Sequence, residues 1–168
     1  MTEELDLPDG VVWNDWRAPR RVRVEPAPVR LFARAVKDPN AVYSSERAAA
    51  EAGFTAVPAP PTFTFVMSDS GEFPDLQPLG AGVAEPTDWG AMTAQRGLYL
   101  HGEQQFVYHR AVLVGDVLEG RMRTSKPIAR QARRGPMEVT YFHTLWAELD
   151  GTPVVDELIT SLFFPDPQ

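Results

Sequence analysis

The chain contains no cysteine. A disulfide framework, a thiolate zinc site and a cysteine nucleophile are therefore excluded. Histidine is scarce: His101, His109 and His143 are the full set, and no two have metal-ligand spacing, so no metal is expected. No apolar run approaches the ~20 residues of a membrane-crossing helix, and no membrane partner is expected. An excess of positive charge is also missing, since the formal net charge is −7. That sign disfavours a polyanionic partner, so nucleic acid is not expected. The stretch from Met1 to Gly10 is acidic and lacks the apolar centre of a secretory signal. The expected compartment is the cytoplasm. Internal repeats and low-complexity tracts are not found.

What is present fits one domain with a sizeable core. Of 168 residues, 43% are hydrophobic and 23% charged, an ordinary balance for a globular chain. The sixteen prolines gather in connections, not in strand candidates. Residues 1–20 form a polar lead-in that Trp13 and Trp16 are expected to pin, and residues 21–168 form the domain. Arg21 to Val24 alternates charged and apolar, a short first strand. Pro28 suits a first helical turn, where its missing N–H costs nothing. Val29, Phe32, Ala33 and Val36 then fall on one helical face. Asp38-Pro39-Asn40 ends the helix, because the residue before proline is pushed out of the α region. Ser44 or Ser45 can cap a second helix through Ala52, with Gly53 closing it. Val57 to Pro61 reads as extended, and Thr62 leads into a buried apolar run, Phe63 to Met67.

Residues 68–94 are rich in Gly, Pro, Asp and Thr and are expected to form a flap carrying Trp89 and Met92. Long strands follow. Gly102 to Val114 places Phe106 and Tyr108 on one side, Val107 and His109 on the other. In Val117 to Ile128, Leu118, Gly120 and Met122 face inward. Ala129 to Pro136 is a basic turn. Met137, Val139, Tyr141, His143, Leu145, Ala147 and Leu149 make a period-two stripe, where a core histidine is expected at 143. Asp150-Gly151 signals a hairpin before Val154 to Phe164. A strand, helices, then several antiparallel strands argue an α+β domain with a helix on one sheet face.

Phe32-Ala33-Arg34 followed by Asp38-Pro39-Asn40 resembles the Gly-Asp-x-Asn-Pro-x-His motif of MaoC-like enoyl-CoA hydratases. The likeness continues through Ala48 to Phe54 and Ala59 to Phe63. It returns at Phe106-Val107-Tyr108-His109-Arg110 and Gly115-Asp116. Together these blocks cover most of residues 22–164. The branch most similar is that of fatty-acid-synthase-like dehydratase domains, which includes the non-catalytic subunit of heterodimeric 3-hydroxyacyl thioester dehydratases. The resemblance implies a hotdog fold, an antiparallel sheet curled around a central helix, and an acyl thioester of coenzyme A or acyl carrier protein as ligand. It implies no cofactor. It implies pairing with a second hotdog chain carrying the intact Asp/His motif, or a homodimer.

Laid on that motif, the sequence keeps Asp38 and Asn40. Lys37 stands for the Gly, Ala41 for the Pro and Tyr43 for the His. A phenol of reference pKa ~10 is a poor proton shuttle where an imidazole of ~6.5 is a good one. The glycine whose N–H would face the thioester oxygen aligns with Pro60 or Pro61, neither of which has an N–H. Asp38 and Asn40 also have a purely local reading, as turn residues, and Tyr43 as a packing residue. His101, beside Gly102 where the flap re-enters the sheet, is the histidine placed best for a site. Phe63, Trp89 and Met92 are the expected channel residues. Arg121, Arg123, Lys126 and Arg130 belong to a basic patch that reads either as a solvated hairpin or as contacts for coenzyme A phosphates. The leading expectation is an auxiliary, non-catalytic subunit of an enoyl thioester hydratase/dehydratase that shapes the acyl channel. Beside it stand an acyl-CoA-binding module without chemistry, and a stand-alone hydratase or thioesterase using Asp38 with Tyr43 or His101.

Overall fold

The computed structural model describes residues 5–69 and 97–166. The expected flap, with Trp89 and Met92, lies almost wholly outside the described residues. Chain order is β1 (Arg20–Arg23), α1 (Pro26–Ala35), a 3-10 turn (Ala41–Tyr43), α2 (Glu46–Glu51), α3 (Phe63–Asp69), β2 (Gly97–Tyr108), β3 (Val117–Thr124), β4 (Ile128–Ala132), β5 (Gly135–Glu148) and β6 (Pro153–Pro165). The strands form one antiparallel sheet in the order β1-β3-β5-β6-β2, with β4 paired to β5. The α+β expectation holds.

Directly paired residues share a sheet face. Gly120, Trp146 and Val155 therefore lie on one face, and Arg123, His143 and Leu158 on the other. The first face carries the core, where Leu118, Trp146 and Val155 meet Val29 of α1, Ala49 of α2 and Phe63 and Met67 of α3. Trp146 is fully buried. Gly120 is required opposite it, because a Cβ there would run into the indole ring. The period-two stripe expected for the core is thus out of phase. Tyr141 and His143 face outward from the helices, and Trp146 faces them. Both faces of β5 are covered, so its apolar residues fall on both phases.

The covering on the second face is the lead-in. Asn14 N–H donates to Thr124 O (2.9 Å), Arg17 N–H to Met122 O (2.8 Å) and Lys126 N–H to Val12 O (2.8 Å). This strap lays Trp13 and Trp16 against the His143 ring, at 6.0 and 5.2 Å between centroids.

Two local expectations need correction. The basic turn at Ala129 to Pro136 is mostly strand, since Ile128 to Ala132 pairs with Gly135 to Val139. Val36 is half exposed and ends α1 instead of extending its apolar face. Lys37 N–H donates to Arg34 O and Asp38 N–H to Ala33 O, the bond pair of a Schellman stop. Lys37 takes the left-handed position of that stop, at φ 59°, which glycine fills without strain.

Candidate functional site

A cleft of about 550 Å³ opens where the 3-10 turn, α2, the proline-rich bend and the start of α3 meet the end of β2. Local chemistry sets each wall. Asn40 N–H donates to Asp38 Oδ1 (3.0 Å), and Val42 N–H to Asn40 Oδ1 (3.1 Å). These two turns aim Tyr43 at the cleft. Ser45 caps α2 by accepting from Ala48 N–H (3.3 Å), and Ala48 and Ala52 give that wall little bulk. In the bend, Ala59 N–H donates to Val112 O (2.7 Å) and Val114 N–H to Val57 O (2.8 Å). Pro58 faces Leu113 between these bonds, so the missing proline N–H leaves no gap in the ladder.

Thr62 is left-handed at φ 69° and turns the bend into α3. Its N–H donates to Tyr108 Oη (2.9 Å). Pro60 and Pro61, which align with the oxyanion glycine, have no N–H to offer; the next N–H along the chain is that of Thr62, and Tyr108 holds it. Thr64, the second residue of α3, is 1% exposed, and its Oγ1 has no hydrogen-bond partner among the described residues. It lines the same cleft.

The polar side chains of the lining are Asn40, Tyr43, Thr64 and Tyr108; no carboxylate, imidazole or cation is among its described residues. Burial raises the Tyr43 phenol above its ordinary value, and the Asp38 charge adds to this. Burial and then Glu157 raise Tyr108, against the opposing pull of the Thr62 hydrogen bond. Both phenols stay protonated at neutral pH.

The other sequence candidates disperse. Asn40, Tyr43 and Phe63 line the cleft, whereas Asp38 stays in its turn behind them. His101 is exposed on β2 with its ring edge-on to Phe65 of α3 at 5.6 Å, outside the lining. Arg123 lies 4.5 Å from the ring centres of both Trp13 and Trp16, and bonds His143 Nδ1 at 3.1–3.2 Å. Arg121 bonds Glu119. Arg121 sits opposite Leu145 and Arg130 opposite Met137, eight positions along β5, or roughly 27 Å at the usual rise. Lys126 is exposed between β3 and β4. These four cations do not converge on one phosphate group.

His143 has a partner on each ring nitrogen. Arginine only donates, so His143 Nδ1 accepts and its Nε2–H donates to Asp156 Oδ1 (3.0 Å). His109 Nε2 meets Asp156 Oδ2 at 3.0 Å. The His143 hydrogen bond, opposed by burial and helped by His109, holds the Asp156 carboxyl below its ordinary range. Arg110 joins Asp116 (2.7 Å) and Glu148 (2.9 Å), locking the corner after β2. Among the described residues no group of His, Cys, Asp or Glu could hold a metal ion, and no helix is long and apolar enough to cross a membrane.

Residues 14–157 match the family model for the FAS1-like, dehydratase domain region. A UPF0336 protein of Thermobifida fusca is 34% identical over 61% of this chain and 60% of its own length. A UPF0336 protein of Streptomyces avermitilis is 38% identical over 54% and 53%. The chain thus spans little more than half the length of these curated relatives. Among solved structures, the HadBC (3R-hydroxyacyl-ACP dehydratase) complex of Mycobacterium tuberculosis aligns with a TM-score of 0.66 at 26% identity, covering 93% of this chain and 99% of that one. The ChsH1–ChsH2 complex of the same organism gives 0.70 at 22% identity, over 91% and 86%. The fold is that of the MaoC-like hotdog dehydratases. This chain belongs to the FAS1-like dehydratase family.

Proposed function

From that membership we propose that the chain is the auxiliary, non-catalytic hotdog subunit of a heteromeric dehydratase that interconverts 3-hydroxyacyl and 2-enoyl thioesters. Its cleft receives the acyl group, and a second hotdog chain with the intact Asp/His motif supplies base and acid. The compartment that goes with this role is the cytoplasm, and the thioester is one of coenzyme A or acyl carrier protein. The cleft lining carries the reading. Hydration needs a base for water and an acid for the α-carbon, and the lining offers hydroxyls and one amide, with both phenols raised above their ordinary values. Asp38, the one motif carboxylate, is engaged in its turn. A stand-alone enzyme using Asp38 with Tyr43 or His101 has less support, because neither Asp38 nor His101 lines the cleft. The likeness to HadBC and ChsH1–ChsH2, both complexes, favours a hotdog partner.

The test is crotonyl-CoA hydration by the isolated chain, by the chain with a motif-intact hotdog partner, and by that complex carrying Asp38→Ala. A missing acid/base costs ~10²–10⁴-fold, so the isolated chain should fall at least ~10²-fold below the complex. The complex should tolerate Asp38→Ala. Strong activity from the isolated chain, abolished by Asp38→Ala, would overturn the auxiliary role. The uncharged lining also suits an acyl-thioester-binding module without chemistry, which failure to co-purify with any hotdog partner would favour.

A further inference from the structure

We propose that Thr64 is the cleft's hydrogen-bonding contact for its ligand, a neutral acyl thioester whose oxygen meets Thr64 Oγ1. This rests on the acyl-binding reading above. Threonine in a helix ordinarily returns its hydroxyl to a carbonyl three or four residues back. Here neither carbonyl receives it: Pro60 O accepts Phe63 N–H (3.1 Å), and no bond from Thr64 Oγ1 joins it. Thr64 Oγ1 is buried and unpaired among the described residues. Trp146 Nε1 shares that condition, but Trp146 lies in the core and does not line the cleft. Thr64 does. A hydroxyl kept without a partner at the wall of a cavity is matched to something that enters the cavity.

The lining also states the chemistry of the occupant. Pro58, Ala59, Pro60, Phe54 and Phe63 are apolar, and no described lining side chain carries a charge. The occupant at this depth is therefore an uncharged, largely apolar chain with an oxygen. Two oxygens of an acyl thioester qualify: the carbonyl, present on every acyl group, and the 3-hydroxyl, present only on the hydrated form.

The experiment uses the full chain and two probes, decanoyl-CoA and 3-hydroxydecanoyl-CoA, with binding read by calorimetry. Thr64→Val keeps the shape and removes the hydroxyl; Thr64→Ser keeps the hydroxyl. Thr64→Val should weaken binding about fivefold, as expected for one neutral hydrogen bond, and Thr64→Ser should stay within about twofold of wild type. Weakening for both probes assigns the carbonyl, and weakening for the hydroxy probe alone assigns the 3-hydroxyl. Without ligand, Thr64→Val should melt at or above the wild-type temperature, because no internal bond is lost. Wild-type affinity in Thr64→Val for both probes would overturn the inference and leave the acyl reading standing. A lower melting temperature for unliganded Thr64→Val would overturn it too, by showing an internal role. Failure of the wild-type chain to bind either probe would overturn the acyl reading and this inference with it.

Discussion

On the outer sheet face, Asp156 carries a histidine on each carboxylate oxygen, and His143 in turn takes Arg123 between two tryptophans. On the helix face, Thr64 is buried more deeply, with its hydroxyl unpaired among the described residues. The first region holds residue types that resemble catalytic machinery, yet each of these contacts is closed within the chain. The second holds plain hydroxyls in an apolar wall, and there the chain leaves hydrogen-bonding capacity open. A buried polar group with its partners in place serves the fold, whereas one without them serves a ligand or marks a cost of about 1–3 kcal/mol. Residue type draws attention to the first face, and open hydrogen-bonding capacity draws it to the second.

The sharpest way to break the comparison is Asp156→Ala. It leaves His109 and His143 without their shared acceptor and should cost about 2–3 kcal/mol in urea unfolding. Acyl-thioester binding should not change; lost binding with the fold intact would make the outer cluster part of the site. The same residue sets an acid limb. Its folded pKa is depressed, so its contribution is fully present above the unfolded value of ~3.9 and drains as pH falls through the folded one. Unfolding free energy should therefore drop below about pH 4, and Asp156→Asn should flatten that drop.

On the helix side the effects should be smaller. Lys37→Gly relieves a left-handed lysine and should stabilise by about 1 kcal/mol, or roughly 2–4 °C in melting temperature for a chain of this size. No gain would mean that the strain at the motif's glycine position is offset nearby. Tyr108→Phe should be the mildest, at most about 1 kcal/mol, because Thr62 is exposed and its N–H can turn to water. A larger loss would show that Tyr108 holds the bend into α3, not merely the N–H.

Local chemistry was legible from sequence. Ser45 caps α2 as expected, through a bond spanning three residues, whereas α1 ends at Ala35, ahead of Asp38-Pro39-Asn40, on the left-handed turn at Lys37. The β5–β6 pairing follows from the hairpin signal Asp150-Gly151, where Gly151 takes φ 91°; the pairings of β1 with β3, β3 with β5 and β6 with β2 join strands not adjacent in the chain and left no such signal. The inward phase of β5 was not legible, because alternation cannot choose a side when the strap covers one face and helices the other. Nor was the pairing of Thr62 with Tyr108, forty-six residues apart. Thr64 left a faint trace, a single hydroxyl inside the apolar run Phe63 to Met67. The spread of the basic patch was not legible either, because residues close in sequence lie far apart along β5, with Arg121 opposite Leu145 and Arg130 opposite Met137.

The two bonds that lace the proline-rich bend to residues 112–114 bear on rates. They join one cleft wall to a corner that Arg110 already anchors to β5. Five bend positions, Val57 to Pro61, include three prolines, so this wall has little freedom left to lose when a ligand arrives. Association should then proceed in a single kinetic phase, without a slow rearrangement of this wall. Differences in affinity among acyl groups should reside in how fast each one leaves.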